Sequence, residues 1–383
     1  MRQGWKSTTL GQICDIDKQQ GIYKDLPYVG LEDIEGGTGT FLGSLDHHAV
    51  KSSTFRFTPE HVLYGRLRPY LNKTLAPDFS GHCSTEIFPL LPKNGVSRKF
   101  LQHWLMMEAT VLLFNETCTG SRMPRANVEE ALGFSLRVPS LLEQERIVAI
   151  LDEAFESISS AHRTSQENLQ NTERLFESVL ARTFRGVTTN WKDHAVSEIA
   201  RLSLGKMLDK AKNRGTPERY LRNLNVRWFQ FNLDDLNEMP FLATEAERYS
   251  IAKGDVVICE GGYPGRAAVW RDSDPIYFQK ALHRVRFSNP IHADWFMYYL
   301  YFQNQSGALQ QHFSGTGILH FTGEALARFR LPVPPDKQIR ELVALFDKVR
   351  CMSLDLRNVY ENKIEKLESL KQSLLHQAFS GNL

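Results

Sequence analysis

An α+β chain built from two tandem copies of one unit, a globular domain followed by a long helix, is predicted by three observations. Sliding the 383-residue sequence against itself by 195 positions matches Thr119–Gly186 to Ser314–Gly381 without a gap, with 15 of 68 residues identical. Ordinary composition would leave about 4 identities over such a length. Two stretches, 141–185 and 336–380, contain neither glycine nor proline, so each reads as one uninterrupted helix. The remaining segments mix β-type runs such as GDVVICEGG (254–262) with helical apolar spacing in RKFLQHWLMMEATVLLFN (98–115) and ADWFMYYLYFQNQ (293–305). The expected divisions are a first domain over 1–140, a helix over 141–188, a second domain over 189–335 and a helix over 336–383.

Upstream of the ungapped match the likeness is fainter. Trp5-Lys6 parallels Trp191-Lys192, PYVGLEDI (27–34) parallels RYLRNLNV (219–226), and VLYG (62–65) parallels VVIC (256–259). Two copies that agree in framework and differ elsewhere are expected to do different jobs where they differ, although drift in surface loops would leave the same trace. Prolines at 139 and at 332, 334 and 335 precede the helices, and Gly186 and Gly381 sit where a helix stop belongs.

Along the helices, Leu151, Phe155, Ile158, Leu169, Phe176 and Val179, and then Val349, Leu356, Tyr360, Leu367, Leu370 and Leu374, fall on steps of four and three. This is an imperfect heptad seam with polar interruptions at His162, Ser165 and Thr172 in the first helix and at Ser353 and Lys363 in the second. One helix alone cannot bury such a stripe. The simplest closed solution separates the two domains by an antiparallel two-helix coiled coil with pseudo-twofold symmetry. The alternative packs each helix on its own domain.

Composition excludes several classes. The 46 Lys+Arg against 44 Asp+Glu and the 42% hydrophobic content are those of a globular chain. No apolar run approaches the ~20 residues that cross a bilayer, and MRQGWKSTTL lacks the apolar core of a secretory leader, so a cytoplasmic location is expected. Five scattered cysteines with no CxxC pair make a disulfide framework or a thiolate zinc cage a poor fit. No GxxxxGK[ST] loop occurs, and the glycines at 37, 39 and 43 fit a turn better than a dinucleotide fingerprint. Asn289-Pro290-Ile291-His292 lacks the aromatic fourth residue of a base-methylation loop, and Phe88 stands where Pro77-Asp78…Glu86 would need a nuclease lysine. His47-His48 and His82-Cys83 have no second ligand pair at metal-binding spacing. No nucleophilic triad is discernible, so the expectation is that no residue is catalytic and that no metal is bound.

The near-zero net charge conceals local excess. Residues 201–227 hold eight basic side chains against Asp209 and Glu218, whereas residues 5–140 balance 14 against 14. Basic residues interleaved with aromatics suit phosphate contacts, and an arginine fork can read guanine O6/N7; a solvated charged face is the plain alternative. The loops GSRMPR (120–125) and GTGILHF (315–321) occupy equivalent repeat positions with unlike side chains. The candidate nucleic-acid contacts are Arg66, Arg68, Lys73, Arg122 and Arg125 in the first domain, and Lys206, Lys210, Lys212, Arg266, Lys280 and His320 in the second.

Taken together, the tandem halves, the loops TGSRMPRAN and SGTGILHFT, the helix openings VPSLLEQERIVAILDE and LPVPPDKQIRELVALFDK, and the endings LFESVLARTFRG and LKQSLLHQAFSGNL make the chain resemble the specificity (S) subunit of type I restriction–modification enzymes. The second opening departs in register, with Gln338 aligned to Glu143 rather than to Gln144. The resemblance implies a non-catalytic subunit whose two target-recognition domains each read one half of a bipartite double-stranded DNA site. It implies that the paired helices set the spacer and dock two methyltransferase (M) subunits, that restriction (R) subunits join them, and that S-adenosylmethionine and ATP bind those partners rather than this chain. Two readings compete with it. One is a methyltransferase or nuclease with its own active site, and the other is a coiled-coil scaffold that binds no nucleic acid.

Overall fold

The computed structural model describes residues 4–47, 50–186, 191–209, 211 and 213–383. The chain divides into two compact units, Met1–Gln166 with Glu361–Leu383, and Glu167–Tyr360. Each long helix therefore begins in one unit and ends in the other.

In the first unit, a four-stranded antiparallel sheet runs in the order β1 (Cys14–Ile16), β4 (Ile87–Pro92), β2 (Val62–Gly65), β3 (Thr74–Leu75). The second unit repeats that order with β5 (Ala200–Leu204), β8 (Leu282–Phe287), β6 (Val256–Cys259) and β7 (Ala267–Val269). The register is the same, Gly65 facing Ile87 and Cys259 facing Leu282. β2 and β6 are buried at every residue, which is why VLYG and VVIC read as continuous apolar runs rather than alternating ones.

A second four-stranded sheet in each unit contains one parallel pair, Tyr28–Val29 with Gly81–Cys83 and Thr216–Leu221 with Ile276–Phe278. Here the units diverge. Gln20–Gly21 adds at one edge of the first unit's sheet, Asn237–Phe241 at the opposite edge of the second's. A two-stranded clasp, Lys6–Thr9 on Ser135–Val138 and Lys192–Ala195 on Arg330–Val333, closes each domain just before its long helix.

Four helices carry the rest of the argument. They are α1 (Arg98–Met106), α2 (Leu141–Arg185), α3 (His292–Gln305) and α4 (Asp336–Ser380). α1 starts at Ser97, whose hydroxyl accepts from the Phe100 N–H. α4 stops at Gly381, in the left-handed region at φ 80°, where the Asn382 N–H reaches back to the Gln377 carbonyl.

Both arrangements considered for the helical stripe occur together. In the first unit, Arg146 of α2 bonds the Leu383 carbonyl, Lys371 lies over the Phe155 ring, and His162 faces Glu368. Rising positions on α2 meet falling positions near the end of the chain, so the segments are antiparallel. In the second unit Glu173 faces Arg357, and Phe184 packs on Phe346. Yet the deepest helix residues enter the domain cores. Ile147, Leu151, Leu375 and Ala378 belong to the first core, and Phe176, Leu180, Phe184, Ile339 and Phe346 to the second.

Two seam positions are corrected. Leu356 and Leu370 are exposed, Leu370 at 47%, and Phe155, Ile158, Leu169, Val179, Val349, Tyr360, Leu367 and Leu374 are half-buried. Where a domain packs on a helix, it takes that helix's deepest apolar residues into its own core.

Candidate nucleic-acid interface

In the first unit the chain leaves β2 through residues 66–73. A single 3-10 turn, Pro69–Leu71, is flanked by Arg68 and Asn72 with φ of 52° and 49°. Three segments are stitched together here. The Arg66 N–H donates to Glu86 O at 2.9 Å, the Arg68 N–H to Pro124 O at 2.8 Å, and the Ala126 N–H to Arg66 O at 2.9 Å. Leu67 pairs with Arg125 as an isolated bridge, and Arg125 exchanges two backbone bonds with Thr119.

The side chains divide into two kinds. Arg125 presents Nε and Nη2 to the Glu86 carboxylate at 2.9 and 2.8 Å, which raises its pKa. Arg66 Nε lies 3.8 Å from the same carboxylate, and its guanidinium lies over Phe88. Arg68 and Arg122 are exposed and hold no side-chain partner among the described residues. Glu86 was absent from the candidate nucleic-acid contacts; the sequence singled it out only within the incomplete Pro77-Asp78…Glu86 pattern.

Lys73 is corrected. Its ammonium donates to the carbonyls of Leu31 and Ile34, both at 2.7 Å, and ties down the turn those residues form. A cation spent inside the fold does not display its charge to a ligand.

The second unit builds the same corner from residues 260–266 and 314–321. The Glu260 N–H donates to Ala281 O at 2.9 Å, the Phe321 N–H donates to Glu260 O at 2.7 Å, and Gly261 pairs with His320, which exchanges two bonds with Ser314. Position for position, Glu260 stands where Arg66 does, Gly262 (φ 76°) where Arg68 does, and His320 where Arg125 does. Arg266 Nη2 bonds Asn223 O at 2.9 Å while its guanidinium stacks over Tyr263 at 3.8 Å. Asn223 also donates to Gly261 O. Neither Asn223 nor Tyr263 was legible as part of this cluster, because both are uncharged and one lies about 40 residues away. Lys280 is exposed, with no side-chain partner among the described residues.

Lys206 is corrected as well. It is 7% exposed, donates to Pro240 O at 2.8 Å and pairs with Glu245 at 2.6 Å. Burial acts to raise the Glu245 carboxyl pKa, but the hydrogen bonds from Lys206 and the Leu242 N–H outweigh it and leave the value lowered. Lys210 and Lys212 lie outside the described residues, as does His48.

No group of three or more His, Cys, Asp or Glu side chains that could hold a metal ion occurs among the described residues. His82 is buried with Nδ1 2.9 Å from the Thr54 hydroxyl, and burial pushes the neighbouring Cys83 thiol pKa up. Both are core residues. Among the described residues, no helix is long and apolar enough to cross a membrane.

Two tandem domains of one design thus carry unlike polar groups on the same corner. The chain belongs to the family described as the type I restriction modification DNA specificity domain, whose model matches residues 2–171 and again 189–366. It is 25% identical over 194 residues to the type I restriction enzyme EcoDI specificity subunit of Escherichia coli, a match covering 49% of this chain and 43% of that protein. The chain thus spans less than half the length of that curated relative.

Two solved structures share the fold. One comes from a study of complex assembly and conformational transition of the type I R-M system, with TM-score 0.80, 20% identity, and coverage of 100% of this chain and 99% of that one. The other is the HsdS subunit from Thermoanaerobacter tengcongensis, with TM-score 0.59, 22% identity, and coverage of 100% and 98%. The resemblance drawn from the repeat and its helix openings is the family the chain falls in.

Proposed function

We propose that this chain is the DNA sequence-recognition subunit of a type I restriction–modification enzyme. Residues 1–140 and 189–335 act as target-recognition domains, each reading one half of a bipartite double-stranded site. The helical segments 141–188 and 336–383 set the spacer and dock two methyltransferase (M) subunits, and restriction (R) subunits complete the nuclease. S-adenosylmethionine and ATP are bound by those partners, and no catalytic step is assigned to this chain.

The observation that carries the reading is the corner built twice. The bonds from Arg66 and Ala126 and the paired bonds of Arg125 recur at Glu260, Phe321 and His320, while the side chains are Arg66, Arg68 and Arg125 with Glu86 in one unit and Glu260, Gly262 and His320 in the other. A common framework with exchanged polar groups is what two readers of different sequences need, since base edges in the major groove are told apart by donor and acceptor pattern. The contacts proposed are Arg68 and Arg122 for one half-site, with Arg66 and Arg125 held on Glu86 behind them, and Arg266, Lys280 and His320 for the other.

Single-molecule methylome sequencing of cells with and without the chain tests the function. A bipartite motif present only with the chain is expected; a methylome that does not change overturns the reading. The spacer role has its own test. A helix rises 1.5 Å per residue, so deleting one heptad from each long helix should shorten the gap between half-sites and leave both half-sites intact.

A further inference from the structure

We propose that Arg68 is the specificity-determining side chain of the first recognition domain, reading a guanine in the major groove, and that Glu86 and Arg125 are the positioning residues that hold its corner. The proposal rests on the DNA-recognition reading above and deepens it to one residue and one base.

Backbone conformation is the first argument. Arg68 sits at φ 52° and ψ 64°, in the left-handed region, which a side-chain-bearing residue enters at an energetic cost. The same corner of the second unit is built with Gly262 at φ 76°. The turn therefore needs no side chain at this point, and glycine would make it without strain. Strain held in place by its surroundings is characteristic of functional positions. Those surroundings are explicit here: Arg68 N–H on Pro124 O and Leu71 N–H on Arg68 O, both 2.8 Å, with the buried Pro69 following.

Elimination among the cations is the second. Arg125 has spent Nε and Nη2, one donor edge of its fork, on Glu86, and its Nη1 faces Met123 O at 3.3 Å. Arg66 is held between Glu86 and the Phe88 ring. Glu86 therefore converts two of the corner's arginines into a rigid bracket. Arg68 leaves the same bracket with its guanidinium exposed and unpartnered among the described residues; Arg122 is exposed too, but of the two only Arg68 is held in the left-handed region. A planar fork on a preorganised backbone matches the O6 and N7 acceptors of guanine; the same fork also fits a phosphate, and the Arg68→Lys variant tells the two apart.

The test uses the chain assembled with its methyltransferase partners, two variants, and duplexes altered one base pair at a time. Arg68→Gly removes both strain and fork. It should leave the melting temperature unchanged or higher while discrimination at one G·C pair of one half-site falls about 10- to 100-fold. Arg68→Lys keeps the charge and should lose the same discrimination. A lysine variant that still discriminates, with binding weakened equally on all sequences, would identify a phosphate contact and overturn the assignment. So would an Arg68→Gly protein that melts lower but methylates the unchanged motif. If the unsubstituted assembly leaves no bipartite motif at all, the recognition reading itself falls, a result separable from either failure of Arg68.

Discussion

His103 Nε2 lies 2.8 Å from Asp152 Oδ1, joining α1 of the first domain to α2. The equivalent positions 195 residues on are Tyr298 and Asp347, whose hydroxyl and carboxylate are 2.5 Å apart. Two of the identities that reveal the repeat, Asp152/Asp347 and Phe184/Phe379, are thus contacts by which a domain grips a helix. Phe379 packs on Phe100 and Phe184 on Trp295, each with centroids 4.8 Å apart.

The His103 hydrogen bond, opposed by burial and assisted by charge from His103 and Lys99, lowers the Asp152 pKa. A carboxyl lowered in the folded state adds stability above its unfolded value, near 3.9, and that stability is lost as pH falls through the folded value. Urea unfolding of the chain between pH 6 and 2.5, roughly the range that brackets carboxylate titration, should show this loss. Asp152→Asn should be less stable at neutral pH and should lack that part of the acid limb; parallel profiles would refute the linkage.

Gln144 is fully buried and spends its amide on three backbone groups: it accepts from the Ser97 N–H and donates to the Gly95 and Pro139 carbonyls. Gln144→Ala strands all three, and should cost about 2–3 kcal/mol in denaturant unfolding. The second unit fills the equivalent place with the buried Ile339, and Gln338 there, among the described residues, only accepts from Trp191 Nε1 at 3.3 Å. The shifted glutamine in the second helix opening is therefore a real difference in construction, and Gln338→Ala should cost well under 1 kcal/mol, as about the usual range for an exposed polar truncation.

His283 is buried behind the second recognition corner, 3.0 Å from the Phe321 carbonyl. Burial lowers its pKa, while the hydrogen bond to Phe321 and the charge of Glu260 act the other way. Burial also lowers His292 and His312 of the same unit. Such a group favours the folded state above its unfolded pKa, about 6.5, and this contribution drains away as pH falls towards the lowered folded value. The melting temperature should drop between about pH 7 and 5, with a smaller drop in His283→Gln. An equal drop in the variant would remove His283 from the account.

Glu86→Gln releases the Arg125 and Arg66 guanidiniums from their shared counter-charge. Non-cognate DNA should bind the assembly more tightly, with a salt slope steeper by about one, the value for one added phosphate contact. Fluorescence anisotropy across a salt series measures both. An unchanged slope would show that the carboxylate does not restrain these cations.

The residues that misled share a cause. Lys206 meets Glu245, and Arg125 meets Glu86, each across 39 positions, a separation at which neither local spacing nor charge counting carries information. Lys73 is spent on carbonyls 42 and 39 positions earlier. The heptad steps were legible, but which neighbour buries each side chain depends on where a domain packs, and two exposed leucines, Leu356 and Leu370, mark the difference.

By itself the sequence determined the tandem unit, its 195-residue period, the two uninterrupted helices and the family resemblance. These depend on local order along the chain: apolar periodicity, prolines before a helix, a glycine after it. Tertiary structure alone decided which basic side chains remain free. Burial and pairing set the availability of a charge, and both come from segments the fold brings together, as Glu86 takes Arg66 and Arg125 and leaves Arg68 exposed on a strained turn.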